Sequence, residues 1–170
     1  MATETRVGLG YDVHAFAPVS AGRALTLGGV VIPHDRGLAG HSDADALLHA
    51  VVDALLGAAS LGDIGAHFPS SDERWRGAAS GDFVTYAIEL LLRDGWGAVN
   101  VDATLVAERP RLSPHVPAMR ASLASLLKIS IERVSVKSKT TDGLGFAGRQ
   151  EGIACYAVAL IERVANGRGE

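Results

Sequence analysis

The sequence predicts an α+β fold in which helices pack on one face of a mixed β-sheet. Three observations predict it. Strand-like and helix-like segments follow one another along the chain in an order that fits one layered sheet. The last segment, Ile153 to Val164, is apolar on both faces, which suits a strand in the middle of a covered sheet, although periodicity alone leaves a helix open. No repeat, low-complexity tract or linker divides the 170 residues, so 1–170 reads as a single domain able to bury a core.

The first strand covers residues 6–16, RVGLGYDVHAF. Side chains two apart on a strand share a face, so Asp12 and His14 project together. A carboxylate and an imidazole so placed form a two-ligand arm for a divalent metal, zinc foremost. Gly8 and Gly10 imply a bulge or a close approach of another backbone. They make no dinucleotide fingerprint, because no GxGxxG-helix unit follows. Leu25 to Leu27 and Val30 to Ile32, joined by Gly28-Gly29, form a hairpin that Pro33 ends.

A glycine-rich loop at 37–40 leads into the stretch on which the chain is organised, residues 37–72. Ser42 caps a helix there, with Asp45 three residues on in the capping-box relation. Leu47, Leu48, Val51, Val52, Leu55 and Leu56 give that helix a broad apolar stripe. Asp45, His49 and Asp53, four residues apart, stack in one polar column. Two readings of the column stand side by side: a solvated face with i, i+4 pairs, or a set of ligands. The helix ends between Gly57 and Gly62, and GDIGAHFPSSD reads as a polar loop.

A second helix starts at Ser80 and ends at a Gly95 C-cap. Alternation from Val99 to Leu105 gives a half-buried strand ending near Glu108. RPRLSPHVP resists regular structure, and a third helix follows with Met119, Leu123, Leu126 and Leu127 inside. Val134 to Val136 begins a strand that runs into a loop at 139–152. His34, His67 and His115 read as surface or loop residues.

A net charge of −3 leaves no basic footprint for nucleic acid. The lone Cys155 permits no intramolecular disulfide and sits in an apolar strand pattern, so it reads as core rather than nucleophile. No apolar run is long enough to span a membrane and no leader pattern opens the chain. These features predict a soluble, cytoplasmic protein without nucleic-acid or membrane partners.

Asp12, His14 and His49 together make three ligands with one tetrahedral position open, the pattern of a catalytic zinc. Asp45 or Asp53, one turn either side of His49, offers that imidazole an outer acceptor. The column gains its ligand reading only jointly with the strand arm.

With these residues in view, the chain resembles the 2-C-methyl-D-erythritol 2,4-cyclodiphosphate synthase family of the non-mevalonate isoprenoid pathway. The resemblance rests on DVHAF at 12–16, HSDAD to HFPSSD at 41–72, RPRL at 109–112 and KTTDGLGFAGRQEGIA at 139–154. It implies zinc on Asp12, His14 and His49, with Asp12-Val13-His14 also bordering the substrate. It implies His41 and Thr140 as the catalytic pair at the reacting phosphates, with Ser42, Thr141 and Asp142 beside them; Lys139 reads either as a further phosphate contact or as an exposed lysine. Asp142 would hold magnesium or manganese. Asp63, Ile64 and Gly65 would contact ribose, and Phe68, Pro69, Ser70, Ser71 and Asp72 the methylerythritol part. Ala107, Glu108, Arg109, Pro110, Arg111, Leu112 and Ser113 would hold cytosine, largely through backbone. Phe146 and Arg149 match positions near the axis of a homotrimer whose active sites lie between subunits. Two departures stand out: Asp142 replaces the usual Glu, and Arg111 a common Lys.

The implied reaction is a metal-dependent intramolecular phosphoryl transfer that releases CMP from 4-diphosphocytidyl-2-C-methyl-D-erythritol 2-phosphate. Charge neutralisation and positioning suffice for such chemistry, so no dedicated nucleophile is needed. Two rivals are a zinc phosphatase or phosphodiesterase on the same ligands, and a non-catalytic trimeric module binding isoprenoid diphosphates.

Overall fold

The computed structural model describes residues 3–164. Its strands are β1 (Thr5–Ala15), β2 (Leu25–Leu27), β3 (Val30–Ile32), β4 (Trp96–Val106), β5 (Val134–Lys139) and β6 (Gly152–Arg163). Four of them form one sheet in the order β1-β6-β4-β5, and β2 and β3 form a separate hairpin. Strand β6 runs antiparallel to both neighbours while β4 and β5 are parallel, so the sheet is mixed as expected.

The helices are α1 (Ala46–Ala59), α2 (Ile64–His67), α3 (Ser80–Arg93), α4 (Val116–Leu127) and α5 (Gly145–Gly148). Helix α1 packs on β1, β6 and β4, α3 on β4, and α4 on β5. Small residues let α1 come close: a Cβ added at Gly8 would stand 2.0 Å from the carbonyl oxygen of Ala54. That is the close-approach reading of the β1 glycines, not a bulge. Leu47, Leu48, Leu55 and Leu56 are wholly buried in this layer, each contributing about 1.5–3 kcal/mol.

The other face of the sheet has no cover among the described residues. Val7 and Leu9 of β1 are 66% and 69% exposed, and Tyr156 and Val158 of β6 are 49% and 40% exposed. Tyr11 and Tyr156 are register partners whose ring centroids lie 4.8 Å apart on that face. The final strand is therefore central, as its composition suggests, but only its inner residues are covered.

Several local expectations are corrected. The cap of α1 is Asp45, not Ser42, and the helix begins at Ala46. The Asp45 carboxylate accepts from the amides of Leu47 and Leu48 at 3.1 and 3.0 Å, and from Gly28 and Gly29 of the hairpin turn at 2.8 and 2.7 Å. It therefore satisfies helix and hairpin donors together, which a serine hydroxyl on the preceding loop could not. The segment GDIGAHFPSSD is not a plain loop: Asp63 caps α2, and Asp72 caps a short 3-10 turn at Glu73–Trp75. His67 ends α2 half-buried, its Nε2 2.8 Å from the Leu61 carbonyl, rather than on the surface. The latter half of RPRLSPHVP is helical, since a 3-10 turn at Ser113–His115 leads into α4, whose first turn admits Pro117. Cys155 is wholly buried, and burial pushes its thiol far above its ordinary range, as a core role requires. No helix among the described residues is long and apolar enough to cross a membrane.

Candidate active site

The strand arm and the helix imidazole meet. One ligand atom from each of Asp12, His14 and His49 lies within 4.8 Å of the others. His14 Nδ1 stands 2.7 Å from the carbonyl oxygen of Ala39, which can only accept, so Nδ1 carries the proton and Nε2 presents its lone pair. That Nε2 is 3.1 Å from His49 Nδ1 and 2.9 Å from Asp12 Oδ2, and His49 Nδ1 is 3.3 Å from the same carboxylate oxygen. With neutral rings, Asp12 Oδ2 is buried without a hydrogen-bond donor.

Acceptor atoms so converged call for positive charge. The electrostatics say the same: burial opposes it, yet His14 and His49 hold the Asp12 carboxyl well below the carboxylate range. Burial likewise opposes protonation of His14, and the Asp12 carboxylate overcomes it and raises the imidazole pKa. A carboxylate and two imidazoles are the donor set of a divalent transition-metal site. The orphaned oxygen fits a bound cation. This is a potential metal-binding group.

The outer partner expected for His49 is different. Asp45 is consumed by four backbone amides, and Asp53 accepts from the Ile64 amide at 2.8 Å, tying α1 to α2. His49 Nε2 instead meets two hydroxyls, Ser80 Oγ at 2.8 Å and Ser42 Oγ at 3.2 Å.

The group opens into a cleft of about 240 Å³ that His41, Ser42, Ile64, Gly65, Phe68 and Ser70 also line. His41 Nε2 lies 3.3 Å from the Asp72 carbonyl. Phe68, Trp75 and Phe83 give the cleft an aromatic wall, with Phe68 stacked on Phe83 at 4.2 Å between centroids. Val13 points its side chain to the opposite face of β1 and is 44% exposed there, leaving only its backbone near the site. Asp63, Pro69, Ser71 and Asp72 border the same loop without lining the cleft. Asp63 and Asp72 spend their carboxylates on caps, Asp72 also pairing with Arg74.

A second cleft, about 340 Å³, is lined by Ala107, Glu108, Arg109, Pro110, Arg111, Leu112 and Ser113 with Ser138, Lys139 and Thr140. Every expected member of the 107–113 segment is there. The two clefts share no residue, so one chain does not bring Thr140 to His41. The loop after Thr140 is stapled by the Glu108 carboxylate, which accepts from Thr141 N at 2.8 Å, Thr141 Oγ1 at 3.1 Å and Gly143 N at 3.1 Å. Asp142 sits in the left-handed region at φ 52° and accepts from Thr140 Oγ1 at 3.2 Å. Thr141 and Phe146 line a third, smaller hollow beside Tyr11 and Tyr156, while Arg149 pairs with Glu151.

Sequence reasoning missed Ser80, Trp75 and Phe83. Ser80 reads locally as a helix start, and only the fold brings its hydroxyl to His49. Phe83 belongs to the apolar pattern of its helix, and nothing local marks Trp75 as part of a site.

Comparison with known proteins identifies the family. The model of the YgbB family matches residues 5–162. The chain is 57% identical over 158 residues to the 2-C-methyl-D-erythritol 2,4-cyclodiphosphate synthase of Syntrophomonas wolfei subsp. wolfei, covering 93% of this chain and 99% of that one. Among solved structures it is similar to the bifunctional IspDF from Campylobacter jejuni, with 37% identity and a TM-score of 0.91 over 96% of this chain and 43% of that one. It is also similar to Plasmodium falciparum IspF in a CDP complex, with 32% identity and a TM-score of 0.83 over 97% and 100% of the two chains.

Proposed function

This chain belongs to the YgbB family, and we propose that it is a metal-dependent enzyme that converts 4-diphosphocytidyl-2-C-methyl-D-erythritol 2-phosphate to 2-C-methyl-D-erythritol 2,4-cyclodiphosphate and CMP. The observation that carries the reading is the convergence of Asp12, His14 and His49 on one point, with the buried Asp12 Oδ2 left without a donor. The curated relatives are named for the cyclic diphosphate product, and the family resemblance supplies the cytidyl substrate.

Both reacting groups belong to the substrate. An oxygen of the 2-phosphate bonds to the β-phosphorus, the bond from that phosphorus to the bridging oxygen breaks, and CMP departs with that oxygen. The protein must position two anions against each other and offset their charge. Zinc on Asp12, His14 and His49 would supply Lewis-acid polarisation and charge neutralisation. Magnesium or manganese belongs to Asp142, since such ions need only one or two carboxylates beside substrate phosphates.

His41, Ser42, Lys139 and Thr140 take the phosphates. Asp63 to Gly65 take the ribose, and Phe68 to Asp72 the methylerythritol part against the aromatic wall. The backbone of Ala107 to Ser113 holds cytosine, which makes Arg111 an acceptable exchange for Lys. Arg149 and Phe146 flank the trimer axis.

The enzyme works as a homotrimer of single cyclodiphosphate-synthase-like domains, in the cytoplasm, as part of non-mevalonate isoprenoid biosynthesis. Two features support the trimer: the metal cleft and the 107–113 cleft share no residue within a chain, and the β1–β6 face is apolar and exposed. A neighbouring copy would cover that face and bring the two clefts together.

Phosphorus NMR of the zinc- and magnesium-supplied protein with this substrate is the test. Cyclic diphosphate and CMP in equal amounts support the reading; inorganic phosphate or open-chain products point to a phosphatase instead.

A further inference from the structure

Ser80 is the first residue of α3, yet its hydroxyl does not cap the helix: the N-cap is Ala79, with no side-chain cap. An alanine would serve that position as well. Its hydroxyl is nevertheless wholly buried between two functional groups. Ser80 Oγ donates to Asp43 Oδ1, and Asp43 Oδ2 accepts from the Ser80 amide at 3.0 Å. On its other side the same Oγ is 2.8 Å from His49 Nε2.

Donor counting fixes the direction of this chain. The Asp43 carboxylate can only accept, so it takes the single Ser80 hydroxyl proton. Ser80 Oγ is left with lone pairs, and the His49 contact is then an Nε2–H donating to it. Proton on Nε2 means lone pair on Nδ1, the atom 3.1 Å from His14 Nε2 and 3.3 Å from Asp12 Oδ2. The backbone holds the arrangement in place: Asp43 N donates to the Ala78 carbonyl at 3.1 Å and Gly77 N to the His41 carbonyl at 2.8 Å. These bonds lay the segment before α3 alongside His41 to Asp43.

We propose that Ser80 and Asp43 are positioning residues of the metal centre, with the Asp43-anchored Ser80 hydroxyl holding His49 as the Nε2–H tautomer and aiming Nδ1 at Asp12 and His14. It rests on the metal reading above. Ala39 does the same for His14 through a carbonyl, so each imidazole has its own acceptor behind it. Outer partners of this kind orient a ligand and raise its basicity, and their loss typically weakens metal binding by about 10- to 100-fold.

Two measurements test it. The zinc dissociation constant of Ser80→Ala, determined by competition with a chromophoric chelator, should rise by about 10- to 100-fold with the far-ultraviolet circular dichroism unchanged. A folded variant that binds zinc as tightly as the unaltered protein overturns the inference. The second needs no variant: long-range proton–nitrogen NMR of the zinc-loaded protein should find the His49 proton on Nε2, and a proton on Nδ1 overturns it. An unaltered protein that takes up no zinc defeats the metal reading and this inference with it, whereas tight zinc binding by both proteins defeats this inference alone.

Discussion

A Cβ placed on Gly10 would stand 1.9 Å from the carbonyl oxygen of Ala50, the residue after His49 in α1. Backbone meets backbone there, so no side chain can swing aside. Gly10→Ala should push α1 off β1 at the point where His49 faces Asp12. Overpacking of this kind costs about 1–3 kcal/mol, or a melting-temperature loss of about 2–4 °C for each kcal/mol in a chain of this size. Zinc content per chain should fall with it. Thermal melts together with metal analysis check both, and an unaltered melt with full zinc would contradict the packing argument.

Glu108 gives a pH dependence whose sign is fixed. Amides of Gly143 and Thr141 donate to its carboxylate and hold its pKa below the usual glutamate value. A lowered carboxylate contributes stability above its ordinary pKa, ~4.3, and that contribution is lost as pH falls through the lowered value. Protection of the Thr141 and Gly143 amides, corrected for intrinsic exchange, should hold steady at neutral pH and decline only once pH falls below the ordinary glutamate value. Glu108→Ala should abolish that protection at every pH and raise KM more than it lowers kcat. Equal protection in the variant would show that the staple does not order the loop.

The separation of the two clefts predicts complementation. In the trimer proposed above, His49→Ala disables the metal cleft and Thr140→Ala the other, so each variant alone should be inactive while remaining folded. Mixed trimers place an intact metal cleft beside an intact Thr140 in roughly a quarter of sites by random assembly, and activity should return to about that fraction. Verified mixed oligomers with no recovered activity would confine the whole site to one chain.

Much of this architecture was legible in the residues. Gly28-Gly29 announced the hairpin, the two-residue spacing of Asp12 and His14 put them on one strand face, and His49 was the helix imidazole that completed them. What escaped was non-local. Ser42 and Asp45 are both good caps by local chemistry, and Asp45 prevails because it also accepts from Gly28 N, 17 residues back in the chain. Ser80 reaches His49 across 31 residues, which no local pattern encodes. The outward face of β6 looked like core because its exposed residues, Tyr156 and Val158, are as apolar as buried ones.

The central claim, transfer within one substrate molecule and not hydrolysis, is tested most directly by running the reaction in water enriched in oxygen-18 and weighing the products. CMP and cyclic diphosphate free of solvent oxygen are expected from the zinc- and magnesium-supplied protein. Oxygen-18 in the CMP, in the methylerythritol product or in released inorganic phosphate would make water the nucleophile and contradict it.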